Sequence, residues 1–438
     1  MRCFIWPLCL AAILHVSVAG AENWQREGVL PVAVATQHEH TESLTLEQAL
    51  QLAVAANPEV AIAQRELEAV TASRMQAALF RNPEFSVEME DTRAPTRQTT
   101  YWLGQPFELG GKRGARIESA ERARDLANAD LQIRFAQIHA DVVQRFYEVL
   151  AAQERYRLAQ SSLALANRGL DVAARRVTAG KVSPVEETRA RVAASGARIE
   201  LTQANAELIN ARRRLAALWG NAAPRFTEAI GELEILPELP DLAYLDELAS
   251  HAPEAVRAEQ EVSRREAMLK VEQARRYPDL VVRGGVQRRE SSSETVSVVG
   301  VALAIPLFDR NQGNILEAKL RVDKARDERL STQVRLRTDL SQAHQRLAAA
   351  IQEVSVIRGD ILPGAQSALD ATTRGFELGK FDFLDVLDAQ RTLFLARGQY
   401  VRALGEVQRA VAEVEAILGP QGASLFAAQH GSHQGPSE

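Results

Sequence analysis

The chain is written twice, and this repetition constrains the fold more than any composition could. Asn57-Pro58-Glu59 returns as Ala252-Pro253-Glu254, and Arg81-Asn82-Pro83 returns as Arg276-Tyr277-Pro278. Gln105-Pro106-Phe107 is answered by Ile305-Pro306-Leu307, Gly180-Lys181 by Gly379-Lys380, and Gly220 by Gly419. The offset stays between 195 (Pro83 to Pro278) and 200 (Pro106 to Pro306) positions. So steady a spacing means one supersecondary unit made twice, and any fold must seat two equivalent copies.

Each copy reads as helix, strand, strand, very long helix, shorter helix. In the first, Leu46 to Leu79 is predicted helical, with Thr45 as N-cap and Gln48 three residues on. Pro83 ends that periodicity. Phe85, Val87 and Met89 then alternate with Glu84, Ser86, Glu88 and Glu90, the period-two signature of a strand with one apolar face. After a polar turn, Tyr101, Leu103 and Phe107 share a face of a second strand. In the second copy Leu280, Val282 and Val286 oppose Arg283, Gln287 and Arg289, and the serine-rich turn Glu290 to Glu294 leads into Val296 to Ile305. Strands of roughly ten residues cross a bilayer when tilted. Four of them cannot close a channel, and lipid does not tolerate an open sheet edge, so several chains must pool their strands.

From Gly111 to Val177 there is no proline, and a continuous helix there would run roughly 100 Å. Val142, Val149, Tyr156, Leu163, Leu170 and Val177 fall seven apart beside a row of Ala152, Ala159, Ala166 and Ala173; the second copy repeats this with Leu340, Leu347, Val354 and Ile361. Such a seam predicts long helices packed closely side by side. Pro363-Gly364 is expected to kink the second long helix. Each long helix ends at a glycine turn, Ala179-Gly180-Lys181 or Leu378-Gly379-Lys380. The next helix opens at once, with Ser183-Pro184-Val185-Glu186 read as a capping box and Asp382-Phe383-Leu384-Asp385 as its counterpart. Helices joined so tightly are antiparallel neighbours.

The ends and the charge narrow the class. Arg2, the apolar run Cys3 to Val18 and Ala19-Gly20-Ala21 read as a signal peptide over residues 1–21. The two cysteines, Cys3 and Cys9, lie inside it, so a mature chain would carry no disulfide and no thiolate site. A formal net charge of −5, with both signs interspersed, gives no basic footprint for nucleic acid. No run of about 18 apolar residues follows the leader, so a membrane would be met by strands. The predicted organisation is an extended segment at 22–43, a first repeat at 44–220, a linker at 221–243, a second repeat at 244–419 and a disordered tail at 420–438. The strands are placed near 83–90, 99–107, 279–289 and 295–306.

Leu46-Glu47-Gln48-Ala49-Leu50 with Asn57-Pro58, the Pro83 strand entry, and Gly379 followed by Asp385-Val386-Leu387-Asp388-Ala389 resemble the TolC superfamily of outer-membrane efflux channels. The phrase Gln105-Pro106-Phe107-Glu108-Leu109-Gly110-Gly111-Lys112-Arg113 is similar to its cobalt–zinc–cadmium resistance branch. The resemblance implies a mainly α protein with a transmembrane β-barrel: a homotrimer whose four strands per chain make a twelve-stranded barrel, continued by a periplasmic tube of helices. It further implies an inner-membrane pump of the resistance-nodulation-division type, a periplasmic adaptor (membrane fusion protein), outer-membrane lipid around the barrel, no cofactor and no catalytic site.

Asp385 and Asp388 match the aspartates that constrict the periplasmic tip in that family. Positions i and i+3 share a helical face, so a trimer would set six carboxylates around one opening. Asp385 is equally explained as the N3 acid of a helix capped by Asp382. Asp388 lies a turn beyond that benefit, so the pore reading rests on Asp388 first. The first copy has Glu186 and Arg189 at the matching places. Gly180, Lys181, Gly379 and Lys380 are the expected tip turns, where an adaptor would dock. Gly-Gly-Lys-Arg-Gly is not a phosphate loop, because Pro106 and Arg113 break G-x-x-x-x-G-K-[ST]; Lys112 and Arg113 are expected in water or near headgroups. His38, His40, His430 and His433 are weak metal candidates without a supporting shell. Three readings follow: a duct for divalent cations, a channel for organic compounds or polypeptide, and a periplasmic coiled-coil scaffold. An adaptor-like scaffold would need a β-rich domain beside one hairpin, which the duplicated strand pairs argue against.

Overall fold

The computed structural model describes residues 43–378 and 380–430. The first copy contains β1 (Ser43–Thr45), α1 (Leu46–Ala56), α2 (Pro58–Ala78), β2 (Glu84–Glu90), β3 (Gln98–Phe107), α3 (Lys112–Thr178) and α4 (Pro184–Ala217). After β4 (Glu228–Ile230) the second contains α5 (Leu242–Ala249), α6 (Pro253–Arg275), β5 (Leu280–Arg289), β6 (Glu294–Leu303), α7 (Gln312–Val356), a π-helical turn (Ile357–Ile361), α8 (Leu362–Glu377) and α9 (Phe383–Leu418), followed by α10 (Pro420–His430).

The helix expected from Leu46 to Leu79 is in fact two. Asn57 ends α1 and caps α2, its Oδ1 accepting from the N–H groups of Glu59 (2.8 Å) and Val60 (3.2 Å). Its Nδ2 donates to the Leu218 carbonyl at 2.8 Å, tying this break to the end of α4. Pro58 sits at the first helical position, where its missing N–H costs nothing. At the start of α1 the expected reciprocal cap is present: Gln48 N–H donates to Thr45 Oγ1, and Thr45 N–H to Gln48 Oε1.

The 67 residues of α3 form one unbroken helix, and it neighbours α2, α4, α6 and α9 along its length. The heptad seam is buried: Val142 and Val149 from α3 join Leu340, Leu347 and Val354 from α7 and Val407, Val411 and Val414 from α9 in one cluster. Ile361, the next position of that seam, is instead 41% exposed. The cause is the π-helical turn, whose extra residue rotates everything after it by about 100°. Pro363 has no N–H to offer the carbonyl four residues earlier, so the helix widens there and then continues as α8.

Two elements fall where the sequence pattern shows none. β1 pairs in parallel with β4, Leu44 opposite Ala229, inside the segment expected to be a bare linker. Gln153 of α3 clamps this ribbon, accepting from Ala229 N–H (2.8 Å) and donating to its carbonyl (3.0 Å). Residues 420–430, expected to be disordered, form α10, which returns along α9 and buries Phe426. The return is possible because Gly419 takes φ 64° and Gly422 leaves α10 no side chain against the Glu415 backbone.

Candidate pore wall and periplasmic tip

The four long strands form one antiparallel sheet in the order β2-β3-β5-β6, with the two copies joined through β3 and β5. The register sets Phe85 opposite Leu103, Val87 opposite Tyr101, Tyr101 opposite Val286, and Val282 opposite Val301. These apolar residues therefore share one face across all four strands, and that face is exposed, while Val281, Val296 and Val298 fall on the other. Glu88, Thr100 and Gln287 align on the other face. There Glu88 accepts from Trp102 Nε1 at 3.0 Å and lies 3.9 Å from Arg283, whose guanidinium is 5.5 Å from the centre of the indole ring. Gly285 is required beneath this group, because a Cβ there would overlap the Tyr101 carbonyl. No helix among the described residues is long and apolar enough to cross a membrane. The sheet carries an extended exposed apolar face, with β3, β5 and β6 each ten residues long, and among the described residues both its edge strands, β2 and β6, lack a partner on one side.

At the hairpin between β2 and β3 the loop is held by Asp91, whose carboxylate accepts from Arg93 Nη2 (2.8 Å) and Thr96 Oγ1 (2.6 Å). The Arg93 guanidinium, then the Thr96 hydroxyl, hold its carboxyl well below the usual aspartate range.

At the opposite end of the strands the Gln105–Arg113 phrase makes a polar knot, and this overturns the expectation for its basic residues. Lys112 does not lie free in water but pairs with Asp279 of the second copy at 2.5 Å. Arg113 donates to the Ala78 carbonyl (2.8 Å) and stacks 4.3 Å from the Phe80 ring centre. Glu108, almost fully buried, accepts from Arg116 and lies 3.5 Å from Arg81. Gly110 and Gly111 both have left-handed backbone, with φ 71° and 73°. A Cβ on Gly110 would overlap the Tyr277 ring.

At the far end of the helices the two tips meet. The α3–α4 turn closes with bonds from Gly180 N–H to the Val177 carbonyl (2.9 Å) and from Lys181 N–H to that of Arg176 (3.0 Å), Gly180 being left-handed at φ 66°. Ser183 caps α4 through Val185 N–H at 3.3 Å, so its side chain serves the second helical amide and not the third as a capping box would. In the α8–α9 turn Lys380 N–H donates to the Gly375 carbonyl at 2.7 Å, and the Phe381 ring packs against Gly375, where any Cβ would collide with it. Gly379 itself lies outside the described residues. Ala173 and Ala190 of the first tip are buried against Leu170, Phe376 and Leu387, and Arg176 stacks 3.9 Å from the Phe376 ring centre.

Asp385 and Asp388 lie in the first two turns of α9, both exposed. Asp385 accepts from Asp382 N–H at 2.9 Å, so it does cap the helix. For Asp388 the bond that the structure shows is made by its carbonyl, which accepts from Thr392 Oγ1 at 3.0 Å, and its carboxylate has no salt-bridge partner among the described residues. Its neighbour Leu387 packs into the tip cluster. His38, His40 and His433 lie outside the described residues, and His430 is the last residue of α10. Among the described residues no three His, Cys, Asp or Glu side chains are grouped as a metal site. The Glu108 knot and the Phe381 latch escaped the sequence reading. The only signals for them were a non-repeated glycine at 110 and the glycine at 375 opposite Arg176.

The outer membrane efflux protein family matches residues 49–221 and 244–420, one stretch per copy. The cobalt-zinc-cadmium resistance protein CzcC of Cupriavidus metallidurans is 44% identical over 420 residues, covering 96% of this chain and 100% of its own. The nickel-cobalt-cadmium resistance protein NccC of Alcaligenes xylosoxydans xylosoxydans is 33% identical over 72% of this chain and 70% of its own. The solved structure of CusC superposes with a TM-score of 0.73 at 17% identity, covering 86% of this chain and 92% of that one. With a sheet of membrane-crossing strands, long helices on one side of it and these relatives, the chain belongs to the outer membrane efflux protein family, and its helices stand on the periplasmic side of the outer membrane.

Proposed function

We propose that three copies close their sheets into one twelve-stranded barrel, and that the resulting duct is the exit of a tripartite exporter of divalent heavy-metal cations. It would be filled by an inner-membrane pump of the resistance-nodulation-division type through a periplasmic adaptor docked at the helical tips, around Gly180, Lys181, Gly379 and Lys380. The observation that carries this reading is the sheet itself: a continuous exposed apolar face bounded by two unpartnered edges is stable in lipid only when the edges meet those of other copies. The metal cargo is supported by the likeness to CzcC and NccC. The polar face suits a cation: Glu84, Glu88, Glu90 and Glu294 outnumber Arg283 and Arg289 on it. The duct conducts passively, and Asp388, assisted by Asp385, forms its narrow periplasmic ring.

The repeat supplies the seam for a test. If β6 meets β2 of the next copy as β3 meets β5, Leu303 faces Met89 as Leu103 faces Gly284. A chain carrying Met89→Cys and Leu303→Cys, whose own cysteines are confined to positions 3 and 9, should oxidise to covalent trimers in outer membranes. Monomers alone would sink the shared barrel. With a matching pump and adaptor, the chain should restore zinc, cobalt and cadmium tolerance to a sensitive host. Replacing His38, His40, His430 and His433 together should leave that tolerance intact, and its loss at normal trimer levels would give the histidines a role in transport.

A further inference from the structure

The two copies treat the strand-to-helix junction differently. In the first copy, Arg81 and Arg116 share the buried carboxylate of Glu108. In the second, the positions that the repeat makes equivalent are Arg276, Leu316 and Phe308. The carboxylate is missing, Phe308 is 91% exposed, and a cavity of about 690 Å³ opens between the end of α6 and the start of α7. Arg276, Arg310 and Lys319 line it, and none of the three has a carboxylate in ion-pairing range among the described residues. The phenol of Tyr277 accepts from Arg276 at 2.8 Å and orients that guanidinium without neutralising it. The start of α7 adds the positive end of its dipole.

We propose that this cavity binds the headgroup phosphate of an anionic phospholipid, an external anion filling the place that Glu108 fills in the first copy. A lipid is favoured over a free anion because apolar residues accompany the cations. Pro306, Ile315 and Leu316 line the cavity, and Ile305, Leu307 and Phe308, exposed on either side of Pro306 in the chain, give an acyl chain a surface to lie on. Arginine recognises phosphate through paired N–H donors, and clustered basic residues at a membrane boundary select anionic headgroups. The proposal rests on the reading of the sheet as membrane-embedded.

The test is native mass spectrometry of the full-length protein, delipidated in detergent and titrated with phosphatidylglycerol, phosphatidylethanolamine or inorganic phosphate. Wild type should retain phosphatidylglycerol in preference to phosphatidylethanolamine. Affinity should fall about fivefold for each cation removed in Arg276→Gln, Arg310→Gln and Lys319→Gln. Phe308→Glu, which restores the first copy's internal carboxylate, should expel the lipid while the trimer persists. Equal binding of both lipids, equal binding by wild type and the triple variant, or displacement by millimolar phosphate would overturn the proposal. Absence of any detergent-stable trimer in wild type would instead overturn the shared-barrel reading, so the two failures are distinguishable.

Discussion

The two copies of the repeat share their order of elements and their hinge before the long helix, and diverge in the side chains around that hinge. Gly111 and Asn311, 200 positions apart, are both left-handed, φ 73° and 60°, and each stands immediately before a long helix. Around these matched hinges the first copy neutralises itself, through Glu108 with its two arginines and Lys112 with Asp279. The second leaves its cations open. The tips show the same division: Glu186 and Arg189 in the first copy stand where Asp385 and Asp388 stand in the second. Duplication keeps what the backbone needs to turn and frees the other copy's side chains to meet something outside the chain.

The largest effect should come from breaking the knot of the first copy. Gly110 is left-handed and lies against Tyr277, whereas its counterpart Arg310 has ordinary backbone and carries a long exposed side chain. A side chain on a left-handed residue costs roughly 1–2 kcal/mol and forced repacking adds about 1–3. Gly110→Val should therefore abolish the heat-resistant trimer or sharply lower the temperature at which it dissociates. Arg310→Gly, which meets no left-handed strain and breaks no ion pair among the described residues, should move that temperature less. Equal shifts from both would mean that the junctions are not specialised as described.

A smaller effect should separate the tips. In α8, Gly375 is the floor on which Phe381 lies, and its repeat counterpart is Arg176, stacked on Phe376. Gly375→Val must lift Phe381 and loosen the α8–α9 turn, raising conductance in planar-bilayer recordings with trimer yield unchanged. Arg176→Ala removes a cation–π contact worth about 0.5–1 kcal/mol at a partly exposed site and should raise conductance less. If Gly375→Val conducts as wild type does, Phe381 is packing and not a latch.

How much of this was legible in the sequence depends on where the determining contact lies. The strands, the Gly180 turn and the 67-residue helix were readable because alternation, punctuation and heptads are local patterns, and the register and seam obey them. The break at Asn57 was missed because helical periodicity runs across it, and its anchor, the Leu218 carbonyl, is 161 residues away. The β1–β4 ribbon is too short to show a period and depends on Gln153 from a third element. The exposure of Ile361 could not be read from heptads, since a π-helical residue shifts phase without leaving a gap. At the candidate site, the capping role of Asp385 followed from the spacing to Asp382, a contact within one helical turn. The partners of Lys112 and Glu108 did not, because the partner of Lys112 comes from the other copy and Arg81 reaches Glu108 across the strand hairpin.

The subtlest comparison concerns charge at the tips, where Asp388 and Arg189 occupy equivalent places on α9 and α4. In a trimer each would recur three times, and an exposed carboxylate with no salt bridge concentrates cations near it only where the opening is narrow enough to escape screening, within about 8–10 Å at ordinary salt. Asp388→Ala should lower cation preference, read as reversal potential under a potassium chloride gradient, and Arg189→Ala should raise it. Asp385→Ala mixes two effects, because the carboxylate that would face the pore also accepts from Asp382 N–H, so it should additionally destabilise the helix start by about 1 kcal/mol. Conductance alone cannot separate these, since a loosened tip also conducts more. At matched conductance, opposite shifts from Asp388→Ala and Arg189→Ala would place both residues at one narrow ring. If only Asp388 responds, the ring belongs to the second copy. If neither does, both are solvated helix faces, and selectivity resides in the barrel wall, where Glu88→Gln becomes the variant to measure.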